Sequence, residues 1–592
     1  MLSFHYIALG LSTLSRLVYA VTVTVRATAS HPIPTTLWGQ MFEDISHVRC
    51  GFRTSAALRG WQAVDDAIIR VIQEVNPVSS ALPNALQLNI PWRTTGAAGF
   101  ANTGYFGIKV TAGSTYNASF FYRFPSASSF KGKVVISLQT TSGQLLASST
   151  ASISGAQTTW RQVMVQLQPK TSPSSTSNTF VISVQEASGQ SINFAMFSLF
   201  PPTFKNRPNG MRADIANASS RGNETFVFPL PGGLGLLEYL NFCEDLNMQP
   251  IMAVWAGYDL GGTSVAESQL GPYVQQAIDQ INFVVGHPSK SAPAALRASF
   301  GHPAPFALKY VEVGNEDFFA SSTYVYRWQT FVNALKATFP GIQFIATSSV
   351  SNPILSPQPT EWDVHVYQTP TWFARNSFYY DGFQRNGTKY FEGEYASIST
   401  NASDLFGSPA TGRLIYPTMQ SSSAEAAFMT GLERNSDIVF AASYAPLLNH
   451  VFDSQWTPNL ISFDSGAVYR STSFYVQKLF SLNRGDEYLP STLPNQQGTL
   501  FWSVVRNTSS HQVIIKVSNT VSAAASITFV LPFPFVSTTG TVQVLTGAKT
   551  ASNTPTAPNS VVPQDPRTIT TGQTFEYTAP GFSVSILTIA AN

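Results

Sequence analysis

Between about residue 200 and residue 479 the chain alternates between short apolar runs of strand length and longer amphipathic runs, and this alternation limits the fold more than any other feature. In the run 235–246, Leu236, Leu237, Leu240, Cys243 and Leu246 fall on one helical stripe, and 250–255 follows as a buried strand. The same reading predicts helices at 273–285, 324–339 and 424–432, and strands at 310–313, 343–347, 362–367 and 390–395. Strands separated by helices pair in parallel through crossovers. The expected fold is therefore α/β, a (β/α)8-type TIM barrel whose site lies at the C-terminal ends of its strands.

On either side the pattern changes. From about 61 to 200 short strands recur, among them 105–110, 116–124, 133–138, 163–167 and 180–184, separated by turns rich in Gly, Ser, Thr and Asn. They predict a β-sandwich of accessory, carbohydrate-binding-like character. Its aromatic residues are read first as core and second as a sugar-stacking face. Beyond 479 strands return, at 498–505, 513–517, 526–531, 541–545, 575–577 and 584–589, and predict a second sandwich. The isolated run 21–28, Val-Thr-Val-Thr-Val-Arg-Ala-Thr, is a candidate to complete it. The expected division is 1–20 signal peptide, 21–60 N-terminal strand and start of the barrel, 61–200 accessory sandwich, 201–478 catalytic barrel and 479–592 C-terminal sandwich.

At 592 residues the chain is too long for one ordinary domain. Charged residues make up 11% of it and the net charge is +2, so there is no basic field to hold nucleic acid or an anionic membrane. The apolar run 6–14, followed by Val18-Tyr19-Ala20, resembles a secretion signal, and the expected location is extracellular. Six Asn-x-Ser/Thr triplets, at Asn117, Asn217, Asn223, Asn386, Asn401 and Asn507, agree with a glycosylating route. No later run is long and apolar enough to read as a membrane span. With only Cys50 and Cys243, the chain is not a disulfide scaffold, and Cys243 reads as a core residue of its helix.

The chemistry points to two carboxylates. The strand 310–313 stops at Gly314-Asn315-Glu316, and the strand 390–395 carries Gly393-Glu394 at its end. Each glutamate then sits on the rim of the barrel, with His365 and Tyr367 at the end of an intervening strand and Trp255 at the end of an earlier one. Glycoside cleavage with retention needs one carboxyl to protonate the leaving oxygen and another, about 5 to 5.5 Å away, to attack the anomeric carbon. At that separation two charges interact by about 3 kcal/mol at an effective dielectric of 20, enough to raise one pKa by about 2 units. Asn315 suits a hydrogen bond to the sugar 2-hydroxyl, and Tyr367 or His365 suits the task of orienting the nucleophile. Glu43, at the end of the run 37–42, reads equally as a sugar ligand or as a solvated loop carboxylate. Neither a His-Glu-x-x-His run nor a Cys-x-x-Cys pair is present to bind zinc, and there is no Gly-x-Ser-x-Gly elbow. No metal or other cofactor is expected. His31, His47, His302 and His450 are scattered and read as structural or surface residues.

With these residues assembled, the chain resembles glycoside hydrolase family 51 α-L-arabinofuranosidases, the secreted fungal members above all. The resemblance is carried by 37–47 (LWGQMFEDISH), 198–210, 233–262, 310–317 (YVEVGNED), 362–370 (WDVHVYQTP), 390–400 (YFEGEYASIST), 444–463 and 474–490. It implies a clan A retaining enzyme with Glu316 as acid/base and Glu394 as nucleophile. Glu43, Asn315, Trp255, His365, Tyr367 and Trp456 are then expected around the sugar. The implied substrates are the plant cell-wall polysaccharides arabinan and arabinoxylan. Two segments depart from the family pattern. Residues 48–60 are short and arginine-rich, and 216–232 is too short for the helix, strand and long loop the family has there, with 225–233 a poor echo of an early strand, which leaves open a barrel short of part of its early strands. Two other readings stand beside the hydrolase: a secreted, non-catalytic carbohydrate-binding relative, and another clan A glycosidase.

Overall fold

The computed structural model describes residues 21–42, 58, 60–78, 83–104, 106–206, 225–228 and 235–592. Eight parallel strands close a barrel: β1 Trp38–Met41, β2 Thr225–Phe228, β3 Gln249–Val254, β4 Tyr310–Val313, β5 Gln343–Ala346, β6 Glu361–Gln368, β7 Lys389–Ser397 and β8 Val439–Tyr444. Strand β2 answers the question left by the sequence. Thr225 pairs with Gln249 on one side and Phe226 with Gln40 on the other, so the barrel has all its early strands and no open seam. The residues read as a poor echo of a family strand are that strand.

Inside the barrel, Met41, Ile251, Ile345, Phe391 and Ala441 form an apolar floor. Polar side chains lie beyond it, toward the strands' C-terminal ends. Outside, the helix Met419–Arg434 is buried along its whole length except at Gln420. It lies between the barrel and the C-terminal sandwich, whose Lys516 and Ser503 both reach Glu433. A helix covered on every face has no polar stripe, and this one uses small Ser and Ala residues so that neighbours can approach closely.

Two five-stranded antiparallel sheets lie between Trp61 and Phe200. Along Tyr116–Arg123, Tyr116, Ala118, Phe120 and Tyr122 point inward, and they join Phe100, Phe194 and Ile182 in one core. Most aromatics of this module are core. In the run read as a strand at 105–110, the described residues 106–110 form none, because Phe106 (φ 57°) and Gly107 (φ 114°) adopt left-handed backbone and break any ladder.

The C-terminal sandwich stacks a seven-stranded sheet on a three-stranded one. In the smaller sheet Val21–Thr24 runs parallel to Ala525–Val530, with Val21 opposite Ile527. The isolated N-terminal strand thus finds its partner in the last module. Cys243 is a buried thiol whose pKa burial pushes well up. The runs 1–20 and 48–57, together with Glu43, His47, Cys50, Asn217 and Asn223, lie outside the described residues.

Candidate active site

Strand β4 ends in a turn with little conformational choice. Gly314 has φ 97°, and a Cβ there would fall 1.9 Å from Asp317 Oδ2, so only glycine fits. Glu316 itself is left-handed (φ 51°, ψ 39°), a conformation costing about 1–3 kcal/mol that persists only where the surroundings enforce it. They do so through Asp317. Its buried carboxylate accepts from Arg327 Nη1 at 2.5 Å and from the Thr347 hydroxyl at 2.6 Å. The Tyr324 hydroxyl donates to the Val313 carbonyl at 2.6 Å and ties the strand end to the following helix, Ser321–Thr338.

Strand β6 supplies the other wall. Asp363, His365 and Tyr367 alternate along it and so share its inward face. The Tyr367 hydroxyl donates to Glu394 Oε2 at 2.5 Å. His365 Nδ1 lies 3.0 Å from Glu316 Oε1 and 3.5 Å from Glu394 Oε2, while its Nε2 lies 2.6 Å from Asp363 Oδ2. One imidazole therefore touches both strand-end glutamates. Donor atoms of Glu316, His365 and Glu394 all fall within 4.8 Å of one another. That spacing is of the retaining kind and leaves too little room for the water of an inverting pair.

The electrostatics follow from crowding acids in a dry place. Burial pulls the His365 pKa down, but Asp363, Glu394 and hydrogen bonds to Asp363 and Glu316 outweigh it, and the net result lies well above the ordinary value. The surroundings thus favour the charged ring, with Nε2–H toward Asp363 and Nδ1–H between Glu316 and Glu394. Burial pushes Glu394 up to about 6; His365 and the Tyr367 hydroxyl oppose the rise, and the negative charges of Glu316 and Asp363 add to it. Deeper in the barrel, burial and Asp363 drive Glu312 well above the carboxylate range. Asp363 is kept in place by the Gly393 N–H, which donates to its Oδ1 at 3.1 Å. A Cβ on Gly393 would lie 2.1 Å from that oxygen, which explains the glycine beside the glutamate.

The structure brings Asn315, His365 and Glu394 to one cavity, with Glu312 and Asp363 as further lining. Tyr367 and Trp456 meet with ring centroids 5.0 Å apart, and the Arg413 guanidinium sits 4.5 Å over the Trp456 ring. Trp255 follows β3, but it is 43% exposed and its ring packs edge-on against Tyr273 rather than against this group. Glu43 lies outside the described residues. Sequence reasoning missed Asp363, Glu312, Arg413 and the Asp317–Arg327 clamp. The period-two register with His365 and Tyr367 could have found Asp363; an irregular loop gives no such signal for Arg413.

The profile of the Alpha-L-arabinofuranosidase 1 domain matches residues 205–385, and that of the Alpha-L-arabinofuranosidase C-terminal domain matches 393–583. A probable alpha-L-arabinofuranosidase A of Aspergillus terreus is 33% identical over 618 residues, covering 93% of each chain. A solved structure of an arabinose-bound glycoside hydrolase family 51 α-L-arabinofuranosidase is 56% identical, with TM-score 0.93 over 97% of this chain and 100% of that one. The chain belongs to glycoside hydrolase family 51. A second arabinose complex, from Thermotoga maritima, is 17% identical, with TM-score 0.52 over 64% of this chain and 90% of that one, and shows the shared fold. The alpha-L-arabinofuranosidase A of Aspergillus niger is 31% identical over 95% of this chain and 94% of its own length.

Proposed function

We infer that this family 51 enzyme releases terminal α-L-arabinofuranosyl residues by double displacement, with Glu394 as nucleophile and Glu316 as acid/base. The observation that carries the assignment is the spacing of the two strand-end carboxylates, whose facing oxygens lie within 4.8 Å of each other. Glu394 attacks the anomeric carbon while Glu316 delivers its proton to the departing glycosidic oxygen, and a glycosyl ester remains on Glu394. Glu316, now a carboxylate, takes a proton from water, which attacks the same carbon and frees Glu394. Negative charge moves from Glu394 to Glu316 in the first half and back in the second. His365 Nδ1–H, within reach of both, follows that charge. Tyr367 holds the Glu394 oxygen in line, and Asn315 is suited to the sugar 2-hydroxyl.

Arabinan and arabinoxylan are the polymers this reading favours, with Trp456 and Glu43 as further sugar contacts. The rival reading as a non-catalytic binding relative drew its support from a lost barrel strand, and β2 removes that support. Secretion is proposed from the apolar run near the N-terminus and from the triplets, of which Asn117 and Asn386 are exposed. Among the described residues no helix is long and apolar enough to cross a membrane.

The decisive experiment is hydrolysis of an aryl α-L-arabinofuranoside, together with labelling by a mechanism-based arabinofuranosyl inactivator. Turnover and labelling at Glu394, both lost in folded Glu394→Gln, are expected. Labelling elsewhere, or turnover that survives the substitution, would overturn the assignment.

A further inference from the structure

The loop that carries Phe106 leaves the N-terminal sandwich between the strands Ala97–Asn102 and Tyr116–Arg123 and reaches the barrel rim. Gly104 (φ 70°), Phe106 (φ 57°) and Gly107 (φ 114°) are all left-handed. For a bulky aromatic residue that backbone is an outlier, held only where the surroundings insist on it. Here the Ser465 hydroxyl donates to the Phe106 carbonyl at 2.9 Å, and Lys109 Nζ donates to the Gly466 carbonyl at 2.8 Å. The ring is stacked on His450, centroids 4.8 Å apart at 25°, yet Phe106 remains 41% exposed. Burial does not account for the strain.

Phe452 lies 5.9 Å from Phe106 and is 66% exposed. It belongs to the same rim loop as Trp456, whose ring meets Tyr367 beside Glu394. On the far side of Trp456, at 5.8 Å, stands Phe406, also 66% exposed. Phe406 thus adjoins the Trp456–Tyr367 side of the catalytic cleft, and Phe452, on the loop of Trp456, with Phe106 packed on it adds two more exposed rings to the same rim, one of them contributed by the sandwich. Flat apolar faces next to a sugar site suit the C–H faces of further sugar rings.

We propose that Phe106, Phe452 and Phe406 form a binding surface for the polysaccharide main chain whose arabinofuranosyl branch enters the cleft. This rests on the arabinofuranosidase reading and extends it: the N-terminal sandwich shapes polymer recognition through its rim loop. Trp92 provides an internal control. It is 80% exposed and lies over Gly189, at the opposite end of the strand Ala97–Asn102, about 20 Å from the rim loop by strand length.

The test compares an aryl α-L-arabinofuranoside with arabinoxylan for Phe452→Ala, Phe406→Ala and Phe106→Asn, asparagine being chosen because it tolerates left-handed backbone. Each variant is expected to raise KM on arabinoxylan about fivefold, with kcat and all aryl kinetics within twofold of the parent and the thermal midpoint unchanged. Trp92→Ala is expected to alter neither substrate. Unchanged arabinoxylan KM in all three variants, or equal losses on both substrates, would overturn the proposal; so would a rise in KM confined to Trp92→Ala. An intact enzyme inert toward the aryl substrate would refute the arabinofuranosidase reading itself, a separate outcome.

Discussion

Asp363 holds His365 through its Nε2 at 2.6 Å and thereby turns the other ring nitrogen toward the two glutamates. The carboxylate fixes both the orientation and the charge of the ring. Asp363→Asn keeps the shape but removes the charge that sustains the imidazolium. The expected result is a fall in kcat of about 10²-fold with KM little changed, within the range for loss of a positioned proton-transfer group. Steady-state kinetics on an aryl arabinofuranoside, with folding checked by circular dichroism, measures it. Parent-like kcat would mean that the ring is held by packing alone.

Activity should fall on the acid side as the nucleophile gains a proton. Burial raises Glu394 to about 6, and a protonated carboxyl cannot attack the anomeric carbon. The expected kcat/KM profile therefore rises with pH and levels off above about pH 6. The charge of Glu316 helps to raise Glu394, so Glu316→Gln should move that limb to lower pH for substrates with a good leaving group, while losing far more activity on natural arabinosides. A limb that is absent from the parent profile would contradict the assignment of Glu394 as nucleophile.

The buried Asp317–Arg327 pair keeps the Glu316 turn in its left-handed form, and breaking one side leaves a buried charge unpaired. Asp317→Ala should therefore cost about 3–5 kcal/mol of local stability. A lowered thermal midpoint together with reduced kcat is the expected outcome, read by scanning calorimetry and aryl-substrate kinetics. Loss of activity without any loss of stability would show that the turn does not depend on this clamp.

Glu392 accepts from the Tyr380 hydroxyl in a fully buried setting and is raised to about 8, first by burial and then by Asp363. In the unfolded chain it titrates near 4.5. Between those values the folded protein keeps a proton that the unfolded chain has released, so stability is full below about 4.5 and declines as pH rises toward 8. Glu392→Gln carries no such proton. Its thermal midpoint relative to the parent should improve from pH 5 to pH 8, and a constant difference would contradict the assignment.

The legible parts of the sequence were those with a period. Strands β3 to β7 are apolar runs bounded by helical stripes, and the repeating strand-end glutamates are what the sequence offers as a site, whereas β8, Val439–Tyr444, was not read as a strand. Strand β2 was obscured because four residues beside Pro229, Pro231 and Gly232 carry almost no periodic signal. Glu312 was illegible for the opposite reason. In Tyr-Val-Glu-Val it reads as the solvent side of an alternating strand, whereas inside a barrel that side faces other strands. Arg413 and Arg327 act across loops and turns, where spacing along the chain says nothing about proximity.

The parallel pairing of Val21–Thr24 with Ala525–Val530 also sets an order of assembly. Trp38–Met41 likewise waits for its neighbour Val439–Tyr444. During synthesis at about 5–20 residues per second, the start of the chain stays unpartnered for roughly half a minute to two minutes. The sandwich from Trp61 to Phe200 draws all its strands from one continuous stretch and can close meanwhile. The first described strand is thus among the last to be seated, and the barrel that carries the catalytic rim closes only after Val439–Tyr444 has emerged.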